Sequence, residues 1–148
     1  LAAKDITVDD TTVRLYAAVL GQADDAQRLT QTRSLFTQVE TALAAQAPAV
    51  AKGTVVGTVS TLWGTTTDVV ADADADVVLW NGAIAQTSTA FSLGESREEG
   101  DSIGTLTSAG PLNTVTTSIS LADDVDPPSP WWRMTHPLEL FGVVEPQP

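Results

Sequence analysis

Few residues in this chain stand in a pattern that could carry out a reaction. There is no cysteine, so thiolate nucleophiles, thiolate metal sites and disulfides are excluded. The single histidine, His136, stands directly before Pro137 near the end of the chain. A serine triad would have to recruit it there with no G-x-S-x-G elbow to hold a nucleophile, so an incidental histidine is the preferred reading and a hydrolase using His136 the rival one. Asp72, Asp74 and Asp76 alternate as in the start of a calcium loop, whose turn converges such carboxylates on one ion. That motif then needs a glycine at its sixth position and a glutamate at its twelfth, where this chain has Val77 and Ala83. A solvated acidic turn is expected, and no metal-ligand set or cofactor site is read. Arg28 sits in the first turn of a predicted helix, where a cation opposes the helix dipole, and it therefore invites a partner, either Asp24 or Asp25 or a ligand. Trp131 and Trp132 offer flat apolar faces with polar tips, suited to closing one end of a β domain or to forming an exposed platform.

Composition narrows the possible partners. The chain has 148 residues, 43% apolar and 18% charged, enough for a real core. Nineteen acidic against seven basic residues give a net charge of −12, which disfavours a nucleic-acid partner, since that needs a basic counterion-displacing surface, and disfavours anionic membranes for the same reason. No apolar run reaches the roughly 20 residues of a membrane span. Leu1 follows no charged or apolar leader, so the start reads as a cut, with any membrane anchor lying outside this chain.

Thr12 to Leu20 alternates apolar residues on both faces and predicts a strand buried on both sides. Gly21 ends it, and a helix follows from about Asp24 to Gln46. Leu29, Phe36, Val39 and Leu43 form its apolar stripe, while Gln27, Thr30, Gln31, Gln38 and Gln46 lie opposite. The strands available to cover that stripe are too few, which marks residues 1–47 as the tail of a larger domain. After Pro48 the composition turns to Thr, Val, Gly and Asp, with short alternating runs. A duplication is visible there: Gly53-Thr54-Val55-Val56-Gly57-Thr58-Val59 matches Gly100-Asp101-Ser102-Ile103-Gly104-Thr105-Leu106. Val115, Thr117, Ile119 and Leu121 predict the inner face of a strand. Val77 to Trp80, Asn81-Gly82 and the run to Leu93 predict a hairpin. Pro127 to Pro130 is expected to end the last strand. The expected fold class is α+β, mainly β: a strand-plus-helix piece (1–47), a small antiparallel β-sandwich of roughly six or seven strands (48–130) and a Trp/Pro-rich tail (131–148).

The strand V-R-L-Y-A-A-V-L-G, the acidic turn, Arg28, the helix with Ser34-Leu35-Phe36-Thr37 and the repeated G-x-x-V/I-G-T-V/L occur in that order. With the closing Trp131-Trp132-Arg133-Met134-Thr135-His136-Pro137, the chain resembles the low-molecular-weight penicillin-binding proteins, from just after their K-T-G strand to their end. These are exported serine D-alanyl-D-alanine carboxypeptidases that trim peptidoglycan stem peptides through a serine ester. Their S-x-x-K, S-x-N and K-T-G motifs do not occur here. Lys52-Gly53-Thr54 runs in the wrong order, and Lys4 has no serine three residues before it.

The resemblance implies a substrate-binding role for Arg28, seven positions beyond Gly21, as the fork that holds the substrate's free carboxylate. It also implies an extracytoplasmic location, the missing catalytic part of the same protein as a partner, and stem peptides as substrate of the intact enzyme. The alternative is an exported acidic spacer or binding module without enzymatic role.

Overall fold

The first residues of the chain, Lys4, Ile6 and Val8, alternate with Ala3, Asp5 and Thr7. In the computed structural model, which describes residues 1–137, they form a strand, β1 (Ala2–Val8), that the sequence reading did not anticipate. It pairs antiparallel with β2 (Thr11–Ala17) across the Asp9-Asp10 turn. Helix α1 (Asp25–Ala44) starts where Asp24 accepts the Gln27 N–H at 2.7 Å, satisfying one of the unpaired amides of the first turn. The helix lies on one face of the hairpin. Ile6, Val8 and Leu43 are buried there, with Val13, Leu15 and Val39 packed around them, and Lys4 reaches Glu40 at 2.6 Å along the same side.

The other face of the hairpin is open and polar, carrying the Asp5–Arg14 ion pair and Thr7 beside Thr12. The strand expected from Thr12 to Leu20 to be buried on both sides is therefore corrected. It ends at Ala17, and Tyr16 and Leu20 are 68% and 87% exposed, because α1 covers only one side. Of the helix stripe, Phe36 and Leu43 are buried, whereas Leu29 stays half exposed in a recess shared with Ala2 and Ala17.

Strands β3 (Val55–Ser60), β4 (Thr66–Ala71), β5 (Gln86–Phe91), β6 (Ser102–Ala109) and β7 (Thr114–Leu121) form one antiparallel sheet in the order β3-β4-β7-β6-β5. It curls until Phe91 of β5 touches β3 at Gly57, so the sheet is nearly closed around Val69, Ile103, Leu106, Ile119 and Leu121. Five strands build this unit in place of the six or seven expected. The inner face of β7 is the one the alternation gave, except that Ser120 is also buried, its hydroxyl donating to Asp72 at 2.5 Å. β7 ends at Leu121, well before the prolines.

The duplication is structural. Gly53 donates its N–H to the Ala71 carbonyl and Gly100 to that of Leu121; Lys52 N–H is capped by Asp74 and Glu99 N–H by Asp124. Both first strands bulge at the same place, between Val55 and Gly57 and between Ser102 and Gly104. β4 and β7 then pair Val69 with Leu121, Val70 with Ser120 and Ala71 with Ile119, a register that maps onto itself by a two-fold rotation through the Val70–Ser120 pair. The two hairpin turns also reach across this axis. Trp63 Nε1 donates to the Asp126 carbonyl at 2.7 Å, and Asn113 Nδ2 to the Asp76 carbonyl at 3.1 Å. Each copy thus clasps the segment leaving the other.

The expected hairpin at Asn81-Gly82 is half right. Both residues have positive φ and Ala83 N–H bonds the Trp80 carbonyl, as an Asn-Gly turn requires. Val77 to Trp80 is not a strand, however, because other groups take its backbone. Val78 N–H donates to Asn113 Oδ1 at 2.8 Å, and Gln46 brackets Leu79, accepting its N–H at 3.0 Å and donating to its carbonyl at 2.7 Å. The segment is thereby held against α1, and Val78, 1% exposed, enters the core of Ile6, Val8 and Leu43. Burial of that size is worth about 1.5–3 kcal/mol.

Candidate functional site

Arg28 lies in the first turn of α1, where the chain passes from the end of β2 into the helix. Its Nη1 donates to Asp25 Oδ1 at 2.7 Å, and both side chains are largely exposed. The nearby carboxylate answers the local problem of a cation at a helix start. It engages a single guanidinium nitrogen and leaves the Arg28 side chain about half exposed, so donors of the fork stay available to a second carboxylate. Beside them is a shallow recess of about 220 Å³, lined by Leu1, Ala2, Ala17, Val19, Leu29 and Thr32 together with Asp25 and Arg28. One fork over a small apolar floor suits a short chain ending in a carboxylate. Among the described residues no nucleophile and base meet there: Ser34 Oγ, farther along the helix, accepts from Gln38 Nε2 at 3.0 Å.

The other sequence candidates are apart from Arg28, and of them Trp132 and His136 come together. The three aspartates of the acidic turn serve separate ends: Asp72 accepts from Ser120 Oγ, Asp74 accepts the Lys52 N–H, and Asp76 uses its backbone carbonyl toward Asn113. Burial, with Asp9 and Asp74 nearby, raises the Asp76 carboxyl above the usual range. Among the described residues no three side chains of metal-ligating type come together.

Helix α2 (Pro130–Thr135) starts at Ser129, whose hydroxyl accepts the Trp132 N–H. It separates the two tryptophans. Trp132 docks edge-on against Trp63 with ring centroids 6.1 Å apart, and Arg97 lies over the Trp63 ring at 5.9 Å. Trp131 is 73% exposed. His136 stacks on Trp132 at 4.8 Å and its Nδ1 meets Thr135 Oγ1 at 2.8 Å, so among the described residues its partners are an indole and a threonine hydroxyl. The part of the tail expected beyond Pro137 lies outside the described residues.

Sequence reasoning missed a wider groove. Trp80 borders two adjoining depressions along α1, one with Leu35, Gln38, Val39 and Asn81 and the other with Tyr16 and Phe36. The Asn-Gly turn directly after Trp80 was the available signal. Trp63 was likewise invisible, because Arg97, Asp126 and Trp132, which meet it, are more than 30 residues away. No protein-family model matches the chain, and no curated protein and no solved structure does.

Proposed function

We propose that the chain is the C-terminal, non-catalytic portion of an exported D-alanyl-D-alanine carboxypeptidase acting in peptidoglycan maturation. The observation that carries the reading is Arg28, displayed at a helix start over a small recess, with its fork only partly used by Asp25. In this reading the fork holds the free C-terminal carboxylate of the stem peptide, while the nucleophilic serine comes from sequence preceding Leu1. Serine attack on the penultimate carbonyl releases D-alanine, and water then cleaves the ester. The five-stranded unit acts as a spacer, and the half-exposed side of the hairpin and α1 is where the catalytic part packs.

The test begins with the coding sequence upstream of Leu1, where S-x-x-K, S-x-N and K-T-G are expected in that order. A reading frame opening at Leu1 overturns the proposal. In the joined protein, Arg28→Ala should lower kcat/KM for a peptide ending in a free carboxylate by about 10- to 100-fold, the worth of a charge-assisted hydrogen bond. A peptide amide should be affected far less. Equal losses on both substrates would remove Arg28 from carboxylate binding. The 148-residue chain alone should form no adduct with a fluorescent penicillin.

A further inference from the structure

From the edge of the five-stranded sheet we infer that β5 pairs with β5 of a second copy of this chain, joining two sheets into one across a two-fold axis. The inference stands apart from the carboxypeptidase reading. Among the described residues β5 is paired on one side only, with β6, and every residue from Gln86 to Ala90 is exposed, so no described residue covers either face of the strand there. Edge strands are ordinarily protected by a charge, a proline or a bulge. Val77 to Gly94 contains no Asp, Glu, Lys, Arg or Pro, and Ile84, just before the strand, is 83% exposed. The opposite edge differs. β3 is kinked by its bulge at Val56, and the Phe91 ring sits over Gly57.

Charge selects the occupant. A chain of net charge −12 repels its own copy nearly everywhere: Asp5, Asp9 and Asp10 mark the hairpin, and acidic loops follow β4, β5 and β7. The neutral stretch is wide, because the outward residues of the next two strands, Thr105, Thr107, Thr116 and Ser118, are uncharged as well. Here two copies approach without carboxylate facing carboxylate, and antiparallel pairing of a strand with itself is self-complementary.

The register follows from the backbone. Ser92 N–H bonds the Ile103 carbonyl on β6, so by alternation the amides of Thr87 and Thr89 point to the free edge. The close approach of the Thr87 and Ser108 hydroxyls, 3.2 Å, fits Thr87 as a position not bonded to β6. In a pairing centred on Ser88, Thr87 exchanges both backbone bonds with Thr89 of the other copy and the two Ser88 side chains meet across the axis.

Sedimentation velocity of the 148-residue chain, over about a hundredfold range of concentration, should show a reversible monomer–dimer equilibrium. Added salt should strengthen it by screening net repulsion. Thr89→Pro removes an outward amide while leaving the bonds to β6, and Thr89→Lys places a charge at the joint. Each should weaken the dimer at least tenfold with an unchanged circular dichroism spectrum. Because the chain has no cysteine, Ser88→Cys should oxidise to a covalent dimer much faster than Thr116→Cys, which lies two strands away. The inference is overturned by a monomer at every concentration, by a dimer that salt weakens, by equal cross-linking of the two cysteine variants, or by a dimer that survives both Thr89 substitutions and is lost in Leu35→Asp on α1.

Discussion

The two copies of the repeated hairpin share a backbone plan and differ in what they hold. Both have the same glycine closure, the same bulge and the same aspartate cap. The turn of the second copy, through Asn113, binds the backbone at Asp76 and Val78 and reaches Thr11, tying the exit of the first copy to the hairpin. The turn of the first copy, through Trp63, binds Asp126 and receives Trp132, tying the exit of the second copy to α2. The four strands of the duplicated hairpins pair among themselves in the order β3-β4-β7-β6. The identity of one turn residue, an amide in one copy and an indole in the other, then decides what attaches at each end.

The sharpest break between the copies is at their equivalent glycines. A Cβ on Gly104 would meet the Ala90 carbonyl and lie 2.6 Å from Phe91 Cα, which is backbone of the next strand. A Cβ on Gly57 would meet only the far edge of the Phe91 ring, at 2.7 Å, and a ring can turn. Gly104→Ala should therefore cost about 3 kcal/mol or more and disturb β5, whereas Gly57→Ala should cost about 1–2 kcal/mol. Chemical denaturation of both variants reads the difference. Equal losses would mean that β5 and β6 separate as easily as a ring rotates, and the asymmetry of the sheet would lose its basis.

The repeat was legible because it is local: glycines and alternating residues recur within one segment, and the sheet they build reuses that pattern. The helix start near Asp24 was legible for the same reason, although the choice of Asp24 over Asp25 as the cap came from the bond to Gln27 N–H. The Val77–Trp80 error came from a competitor no local pattern contains, since Gln46 and Asn113 are remote in sequence and offer better partners to those amides than a hairpin ladder does. β1 was lost among small and charged residues, with only Ile6 and Val8 to mark its inner face. For the candidate site, the position of Arg28 and its acidic partner could be read from spacing. The recess could not, because its walls come from Leu1, Ala17 and Val19 as well as the helix.

A smaller effect separates the capping aspartates. Asp74→Ala and Asp124→Ala each remove a side-chain acceptor from a backbone N–H, at Lys52 and Glu99, and each loss is worth about 1 kcal/mol. Asp74 also repels Asp76, so its removal relieves a charge contact. Thermal unfolding at neutral pH should place Asp74→Ala above Asp124→Ala. The reverse order would show that the first cap does more for the bridge between Val50 and Ala75 than its counterpart does in the second copy.

The smallest expected effect is pH-dependent and lies at Asp76, the first copy's counterpart of Asp126. Burial and then the charges of Asp9 and Asp74 raise its carboxyl, so in the window between the ordinary carboxyl range and the raised value the folded chain binds a proton that the unfolded chain does not. The stability contributed is fully present below the ordinary range and is lost as pH rises through the raised value. Asp76→Asn removes that slope while keeping the backbone carbonyl that Asn113 uses. Its unfolding midpoint should stand above that of the parent at pH 7, with the gap closing by about pH 3.5. Asp5 moves the other way, held below the usual range by its bond to Arg14, and loses its stabilising share as pH falls, but that loss is common to both proteins and cancels in the difference. A variant less stable than the parent at pH 7 would mean that the Asp76 charge is used in the fold, and the two exits would then differ in chemistry as well as in their clasping residue.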